Sequence, residues 1–380
     1  MFEKGYIDEN YVRIPKDELF SFVVKVLMKL GVPKEDSEIV ADNLIMADLR
    51  GIESHGVQRL KRYVDGILSG GINLRPKVRI IREGSSYALL DGDEGFGQVV
   101  GYRAMKLAIE KAKESGVGVV VVRNSNHYGI AGYYALMAAE VGMIGISMTN
   151  SRPLVAPTGG IERFLGTNPI ALAAPTKDKP FLLDMATSVV PIGKLEVYRR
   201  KGKPIPEGWA IDSEGNITTD VEKVFNGGAL LPLGGFGELF GGHKGYGLSV
   251  MVDILAGILS GGTWSRHVKN TSEKHSEVDH FFMAINIEAF VPLEEFKEKM
   301  SRMIKELKSS KRRVDRIWIH GEKGFLTMET RLKAGIPVYR KVLEELNQIA
   351  ESVGVEKLKV TCSILNGVYV VRIKEKLHES

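Results

Sequence analysis

Gly116-Val117-Gly118-Val119-Val120-Val121-Val122 forms an unbroken apolar run, and the polar stretch Arg123-Asn124-Ser125-Asn126-His127-Tyr128-Gly129 follows it directly. Such a run, bounded by polar residues, is typical of a buried strand. In α/β folds the ends of these strands carry the ligand-binding loops, because the sheet holds the loops rigidly while they stay open to solvent. An imidazole in such a loop can exchange protons near neutral pH. His127 is therefore the first candidate for a catalytic residue.

Strand and helix patterns alternate around this run. Strand patterns occupy residues 87–90, 117–122 and 144–148, with helix patterns between them at 98–115 and 131–141. This β-α-β-α-β order predicts a mainly parallel or mixed sheet with helices packed on it, and so an α/β core.

The strand at 144–148 ends in a second group of hydrogen-bonding side chains, Thr149-Asn150-Ser151-Arg152-Pro153. Two neighbouring strand ends that both carry polar residues predict a functional site. The structural alternative is a surface loop in which His127 only caps a helix.

The two ends of the chain have helical patterns. Residues 1–75 show apolar positions at helical spacing with proline and glycine at the helix limits, and residues 290–356 return to charged amphipathic helices. We predict that both segments form one helical domain beside an α/β core at residues 76–289, which carries the cofactor and substrate sites. Residues 357–380 are predicted to be a C-terminal extension with a β-hairpin at Asn366-Gly367, a dipeptide typical of type I′ turns.

A glycine-rich segment, Gly95-Phe96-Gly97-Gln98-Val99-Val100-Gly101, lies between a strand pattern and a helix pattern, as a dinucleotide-binding loop does. Its spacing is Gly-x-Gly-x-x-x-Gly rather than Gly-x-Gly-x-x-Gly. The acidic residue expected at the end of the following strand is also absent, because that strand ends in Arg123. A tight turn into a helix explains the glycines better, so the predicted fold is a non-Rossmann α/β fold with a mixed sheet.

Two further histidines lie beside groups that bind anions. Ser54-His55-Gly56-Val57-Gln58-Arg59 places a hydroxyl, an imidazole and a guanidinium at a helix start, and Arg59 can bind a carboxylate with two hydrogen bonds. The structural alternative is a simple helix cap by Ser54. Gly241-Gly242-His243-Lys244-Gly245-Tyr246-Gly247 precedes an apolar helix and suits a phosphate, although its spacing is not that of a P-loop.

The composition argues against several other classes of protein. The net charge of +5 is spread over 380 residues without the basic stripe of a nucleic-acid binder. A single cysteine, Cys362, excludes an internal disulfide, and the histidines occur singly, with His275 and His280 in a predicted loop, so no metal is expected. The sequence shows no membrane-spanning run and no signal-peptide pattern. We therefore expect a cytoplasmic protein without nucleic-acid or membrane partners.

Several segments together resemble the malate/L-lactate dehydrogenase family, which is unrelated to the Rossmann-type malate and lactate dehydrogenases. The matching segments follow the family order and are Ala47-Asp48-Leu49-Arg50-Gly51-Ile52-Glu53-Ser54-His55-Gly56, Asn124-Ser125-Asn126-His127-Tyr128-Gly129, Leu165-Gly166-Thr167-Asn168-Pro169, Leu183-Asp184-Met185-Ala186-Thr187-Ser188, Gly242-His243-Lys244-Gly245-Tyr246-Gly247-Leu248, and His320-Gly321-Glu322 with Gly335-Ile336-Pro337. One departure is His320, where many relatives carry proline, and it leaves the contact by Gly321 and Glu322 open.

The resemblance implies an enzyme that uses NAD or NADP to interconvert 2-hydroxy and 2-oxo acids and that forms a homodimer. It assigns proton transfer to His127, with His55 beside it in catalysis. The implied substrate residues are Ser54, Arg59 and Tyr63. The implied cofactor residues are Ser151, Asp184, Met185, Ala186, His243, Lys244, Gly321 and Glu322.

The resulting hypothesis is that Arg59 and His55 bind the substrate carboxylate while His127 takes the proton of the 2-hydroxyl group and the hydride goes to the nicotinamide. Malate and oxaloacetate are the expected substrate pair, and Arg152 is a candidate for binding an additional anionic group. Lactate, sulfolactate and ureidoglycolate stay open as alternatives. A hypothesis from another class is a non-catalytic nucleotide-binding protein that keeps the fold without turnover.

Overall fold

The structure, a computed structural model, describes residues 10–270, 275–359, 362–365 and 368–371. Its helices are α1 (Lys16–Lys29), α2 (Lys34–Leu49), α3 (Leu60–Leu68), α4 (Gly97–Ser115), α5 (Ala131–Glu140), α6 (Ile192–Arg200), α7 (Val221–Phe225), α8 (Gly242–Val252), α9 (Leu293–Ser309), α10 (Glu322–Ala334) and α11 (Arg340–Val353). Its strands are β1 (Tyr11–Ile14), β2 (Arg79–Glu83), β3 (Tyr87–Asp91), β4 (Val117–Ser125), β5 (Met143–Thr149), β6 (Ile170–Ala174), β7 (Phe181–Met185), β8 (Ala210–Ile211), β9 (Ala229–Leu230), β10 (Val278–Asn286), β11 (Ile336–Tyr339), β12 (Cys362–Leu365) and β13 (Val368–Val371). Within the described residues, no helix combines the length and apolar character needed to span a bilayer.

A seven-stranded sheet in the order β2-β3-β4-β10-β5-β6-β7 forms the centre of the molecule. The pair β3–β4 is parallel, whereas every other neighbouring pair in this sheet is antiparallel. The predicted mixed-sheet α/β core is therefore confirmed.

The strands β4 and β5 are not immediate neighbours, so the prediction of two adjacent strand ends is wrong in this detail. Strand β10 lies between them and runs antiparallel to both, with Phe282 opposite Val120 on one side and Ser147 on the other. The polar ends of β4 and β5 still lie at one edge of the sheet, and the start of β10 separates them. Because β10 comes from about 130 residues further along the chain, local patterns do not reveal this insertion.

Both faces of the central strands are covered, which explains the unbroken valine run. Val120 and Val122 pack with Phe282 in the core formed with α4 and α5. Val121 packs with Phe281 on the opposite face, beside α8 and its continuation. Alternate side chains of one strand point to opposite faces, so a strand buried on both sides needs apolar residues at every position. The apolar helix predicted after the glycine-rich segment at 241–247 is α-helical only as far as Val252 and continues as a π-helical turn, Asp253–Ile258.

Segments from both ends of the chain share one apolar core. The helices α1, α2, α3 and α11 meet in it, and β1 pairs antiparallel with β11, with Ile14 opposite Ile336. The last of the amphipathic helices predicted in residues 290–356 begins at Arg340, because the residues before it pair as β11. Further along the chain, β12 and β13 pair antiparallel as the predicted hairpin requires, with Leu365 opposite Val368. The turn residues Asn366 and Gly367 lie outside the described residues.

Candidate active site

The loop that carries His127 is fixed by the side chain of Asn126. The Asn126 Nδ2 donates to the carbonyl oxygens of Glu94, at 2.7 Å, and Gly95, at 3.1 Å, and its Oδ1 accepts from the Ser276 hydroxyl at 2.6 Å. Asn126 is fully buried, so these bonds replace those that the amide would make to water. The backbone next to His127 therefore has a defined position.

One ring nitrogen of His127 is engaged by protein groups. The Tyr63 hydroxyl lies 2.8 Å from Nδ1, and the backbone N–H of Gly129 donates to the same atom at 3.3 Å. Burial, and after it the guanidinium group of Arg62, holds the pKa of His127 well below its ordinary value. The ring is therefore neutral near pH 7.

His55 lies against His127 at the end of a short 3₁₀ turn, Glu53–His55. The two imidazole rings are stacked with centroids 5.7 Å apart, and the His55 Nδ1 lies 2.9 Å from the Ser54 hydroxyl. Burial and the nearby charge of Arg59 lower the pKa of His55 to about 3. The 3₁₀ turn that follows, Val57–Arg59, is anchored to α2, because the backbone N–H of Val57 donates to the Asp48 carboxylate at 2.8 Å. Ser54 thus orients the imidazole and does not cap the following helix.

Arg59 is positioned before any ligand binds. Its Nε donates to the Ser54 carbonyl oxygen at 2.7 Å, and its Nη2 forms an ion pair of 2.9 Å with Glu196 on α6. Burial favours the neutral form of Glu196, but the charge and hydrogen bond of Arg59 outweigh it and lower the pKa of this carboxyl group. The guanidinium therefore has a fixed orientation at the wall of the site.

A cavity of about 680 Å³ lies between these groups and the end of β5. Four residues that the sequence selected line it, namely His55, Arg59, His127 and Ser151, and Arg152 does so as well. The lining also contains Arg62, which sequence reasoning missed. Its signal was its position three residues after Arg59, which places both side chains on one side of the helix start. Tyr63 lies behind His127 and is 1% exposed.

His280 joins the ends of β4 and β5 below the cavity. Its Nδ1 lies 2.8 Å from the Thr149 hydroxyl and its Nε2 lies 2.9 Å from the Ser125 hydroxyl. The ring is stacked on Tyr128 at a centroid distance of 4.7 Å, and burial lowers the pKa of His280 to about 3. The predicted loop around His280 is wrong, because this residue belongs to β10.

Asp184 is a predicted cofactor residue at the end of β7. Its Oδ2 accepts from the backbone N–H of Gly132 in the first turn of α5, at 2.9 Å. Burial raises its pKa, whereas this hydrogen bond and the charge of Arg50 act in the opposite direction. Met185 and Ala186 follow it and are partly exposed.

The other predicted cofactor residues lie at the starts of two helices, α8 and α10, and are not part of the cavity lining. His243 and Lys244 are exposed in the first turn of α8, and the Lys244 ammonium has no ion pair within the described part of the chain. Gly321 precedes α10, where the Glu322 carboxylate accepts from Lys308 at 2.8 Å and from the backbone of Ile319 at 3.2 Å. In residues 10–270, 275–359 and the two C-terminal strands, no group of His, Cys, Asp and Glu side chains could hold a metal ion.

Comparisons with known proteins agree with this geometry. The model of the malate/L-lactate dehydrogenase family matches residues 14–347. A malate dehydrogenase from Pyrococcus horikoshii is 82% identical over 360 residues, which cover 94% of this chain and 100% of that protein. A malate/(S)-sulfolactate dehydrogenase from Methanothermus fervidus is 43% identical over 346 residues, covering 90% of this chain and 98% of that protein. The solved structure of the Pyrococcus horikoshii malate dehydrogenase has a TM-score of 0.89 at 79% identity, covering 94% of this chain and 100% of that one.

The first prediction concerns Asp279, whose carboxylate accepts from the backbone of Asn124 at 3.1 Å and of Thr263 at 2.9 Å. Burial raises the pKa of Asp279 from 3.8 to about 7. Since the unfolded chain ionises at lower pH, the stability contributed by Asp279 is complete below about pH 4 and is lost as the pH rises through about 7. The free energy of unfolding of the wild type, minus that of Asp279→Asn, should fall by a few kcal/mol across this window, on the order of 4 at most.

Denaturant unfolding at a series of pH values measures this difference. Asp17→Asn, at a carboxylate that is 96% exposed, is the control. A difference between wild type and Asp279→Asn that stays constant over the window would contradict the prediction.

Proposed function

The chain belongs to the malate/L-lactate dehydrogenase family and is a 2-hydroxy acid dehydrogenase, and we propose that its substrates are malate and oxaloacetate. The observation that carries this proposal is the charge of the cavity. Arg59, Arg62, Arg152 and Lys269 line it, and its lining residues, all described, include no carboxylate. Although Arg59 is paired with Glu196 and Lys269 with Glu277, which lie outside this lining, the cationic lining suits a substrate with two carboxylates better than lactate, which has one. The similarity to the Pyrococcus malate dehydrogenase supports the same choice.

His127 is the proposed proton carrier. Tyr63 and Gly129 engage its Nδ1, and no group in the described residues bonds its Nε2, which leaves that atom for the substrate hydroxyl. Because its pKa lies well below the ordinary value, the ring is uncharged near neutral pH. When its one hydrogen is on Nδ1 and is donated to the Tyr63 hydroxyl, in place of the 3.3 Å bond from Gly129, Nε2 has a free lone pair and can accept the proton of the 2-hydroxyl group. A bound dianion offsets the charge of Arg62 and Arg59, which favours the protonated ring when substrate is present.

Arg59 is the proposed partner of the C1 carboxylate. Ser54 and Glu196 hold its Nε and Nη2, so the guanidinium is already oriented and Nη1 has no partner among the described residues. His55 is stacked on His127 and lines the same cavity, where it restricts the position of that ring. Such orientation before binding lowers the entropic cost of reaching the reactive geometry.

The residues present fit an anionic dinucleotide. The exposed ammonium of Lys244 stands in the first turn of α8, where helix N–H groups also favour a phosphate. Beside Asp184 lies Arg50, which is 6% exposed and whose Nε and Nη1 have no hydrogen-bond partner among the described residues. We propose that Lys244, Ser151 and the segment from Asp184 to Ala186 hold the cofactor, NAD or NADP, which exchanges the hydride with C2 of the substrate. We also propose that this NAD- or NADP-dependent enzyme works in the cytoplasm.

The test of the proton carrier is His127→Ala, assayed by the absorbance of reduced nicotinamide with NAD and NADP in turn. We expect kcat for malate to fall by about 100-fold or more, since general acid–base catalysis is removed. The dissociation constant of the cofactor should change little. The control is His267→Ala, because His267 is exposed and outside the cavity lining. Near-normal turnover by His127→Ala would overturn the role of His127.

The substrate is tested with a panel of malate, lactate, sulfolactate and ureidoglycolate. We expect malate to give the highest kcat/KM in the wild type. In Arg152→Met the KM for malate should rise roughly 10-fold or more, because a charged hydrogen bond contributes about 1.5–3 kcal/mol, while the KM for lactate changes little. Arg302→Met on the exposed face of α9 is the control. Equal changes for malate and lactate would remove Arg152 from the second carboxylate site.

We also propose that the protein is a homodimer whose interface includes residues 236–264. Large apolar side chains in this stretch are not covered by any of the described residues, among them Leu239, 86% exposed, and Phe240, 81% exposed. Ile258, at the end of the π-helical turn, and Leu259 after it are each 56% exposed. An exposed apolar surface of this kind is typical of a subunit interface. A second copy of this chain is the proposed partner.

Light scattering after gel filtration measures the assembly. We expect a wild-type mass of twice 41.9 kDa and a shift of Phe240→Glu toward 41.9 kDa, because a carboxylate is costly to bury in an apolar interface. Phe290→Glu is the matched control, since Phe290 is 68% exposed but lies outside the stretch. A wild-type protein that is monomeric at micromolar concentration contradicts the proposal.

A further inference from the structure

A second open groove lies apart from the substrate cavity. It has a volume of about 1250 Å³ and is bordered by α9, the start of α10 and the residues that lead into β7. The rings of Phe181 and Phe325 and the side chain of Ile304 form its apolar part, and the hydroxyl groups of Ser301 and Ser309 line it as well. Apolar and aromatic side chains with a few polar groups are typical of a site for a small organic molecule.

Strand β7 connects this groove with the substrate cavity. Phe181 lines the groove and begins β7, and the proposed cofactor residues 184–186 lie at the end of that strand. The next residue, Thr187, donates its backbone N–H to the carbonyl oxygen of Thr167 at 2.9 Å, and Thr167 lines the substrate cavity. Since a strand rises by about 3.3 Å per residue, the six steps from Phe181 to Thr187 cover roughly 20 Å at most. A dinucleotide extended along β7 therefore reaches both sites.

An exposed basic loop, residues 310–318, borders the groove. It joins Ser309 to Ile319, and both of these residues line the groove. Three side chains of the loop and one of α9 are exposed cations that form no ion pair within the described part of the chain, namely Lys311, Arg312, Arg313 and Lys305. Seven of residues 305–323 are Lys or Arg, whereas three are Asp or Glu. Such an excess of positive charge attracts an anionic ligand to the groove.

The carboxylates of the groove offset little of this charge. Glu322 lines the groove, but its carboxylate accepts hydrogen bonds from Lys308 at 2.8 Å, from Arg316, and from the backbone of Ile319 at 3.2 Å. The other carboxylate of the lining, Asp178, is exposed in the turn between β6 and β7. In dinucleotide-binding proteins a carboxylate on the adenosine ribose favours NAD, and an arginine nearby accommodates the 2′-phosphate of NADP. The arginines of the basic loop favour the phosphate.

We propose that this groove binds the adenosine end of the cofactor and that Arg312, Arg313 and Lys305 bind a phosphate on its ribose, so that the enzyme prefers NADP to NAD. The proposal rests on the proposed binding of a dinucleotide at residues 184–186. Arginine suits this role because its planar group binds a phosphate with two parallel hydrogen bonds. NAD has no charge at this position and leaves the three cations without a partner.

The direct test measures binding and requires no turnover. Isothermal titration calorimetry of the full chain is carried out with adenosine 2′,5′-bisphosphate, adenosine 3′,5′-bisphosphate and adenosine 5′-monophosphate. We expect the 2′,5′-bisphosphate to bind roughly 10-fold more tightly than either of the others, because it alone places a charge at the 2′ position. Equal binding of the 5′-monophosphate would overturn the proposal, and equal binding of the 3′,5′-bisphosphate would remove the assignment to a 2′-phosphate.

The residues are tested with the double variant Arg312→Gln/Arg313→Gln. We expect its affinity for the 2′,5′-bisphosphate and its KM for NADP each to worsen roughly 10-fold, while kcat and the KM for NAD change little. Both arginines are exposed, so the exchange removes charge without disturbing a core. The matched control is Lys299→Gln, because Lys299 is an exposed cation of α9 outside the lining of the groove. An unchanged KM for NADP in the double variant, or an equal rise in the control, would overturn the role of the loop.

Failure of this proposal differs from failure of the proposed function. If malate is oxidised with NAD as readily as with NADP and the bisphosphate shows no preference, the dehydrogenase function stands and the assignment of the groove is wrong. If the bisphosphate binds tightly but does not compete with NADP, the basic loop serves a separate anion site, which also overturns the proposal. If no 2-hydroxy acid is oxidised, preferential binding of the 2′,5′-bisphosphate still supports the groove.

Discussion

The geometry of the active site depends on one buried histidine, His280, at the start of β10. Its two ring nitrogens bond the hydroxyl groups that end β4 and β5, and its ring is stacked on Tyr128, the residue after His127. Burial lowers the pKa of His280 to about 3 and keeps the ring neutral, and a neutral imidazole can accept one hydrogen bond while it donates the other. An apolar residue in its place would remove this link, and the Thr149 hydroxyl would keep only its bonds to backbone carbonyl oxygens, such as that of Asp279 at 2.9 Å. The antiparallel insertion of β10 thus fixes the two catalytic strand ends relative to each other, although they come from strands that do not touch.

Burial also sets the electrostatics of the site above this junction. Removal of water depresses the pKa of His127 and of His55, and the charge of Arg62 and Arg59 adds to the effect. The cavity thus holds a neutral imidazole among cationic side chains, a setting that favours binding of a dianion and disfavours proton uptake. In the proposed mechanism a bound dianion cancels part of the positive charge and makes proton uptake by His127 easier. Binding of malate would then increase the basicity that its own oxidation needs, and a substrate with less charge would do so less well.

The sequence predicted those features that depend on local pattern. The valine run of β4 has apolar residues on both faces, and this pattern predicts a strand that is covered on both sides. The polar residues after it predict the loop. The position of His280 was missed, because β10 pairs with strands about 130 to 170 residues away and no local signal reports such a partner. Arg62 was missed for a different reason. The residues around an arginine at the start of an amphipathic helix do not show whether its side chain faces solvent or a cavity. The resemblance to a family supplied the other site residues, and their roles in binding the cofactor stay proposals.

The glycines that imitate a dinucleotide-binding loop show how the same residues can serve another purpose. A Cβ on Gly97 would lie 2.0 Å from the carbonyl oxygen of Asn126, and one on Gly101 would lie 2.9 Å from the ring of Tyr134. Both contacts are too short for any side chain, so these glycines allow α4 to approach the His127 loop and the helix behind it. Glycines that are used in this packing are not available to surround a diphosphate with backbone N–H groups, which agrees with the proposal that side chains such as Lys244 bind the phosphates. The glycine spacing that resembles a Rossmann loop thus serves to pack α4 against the loop that carries His127, and for this reason the motif does not identify a cofactor site.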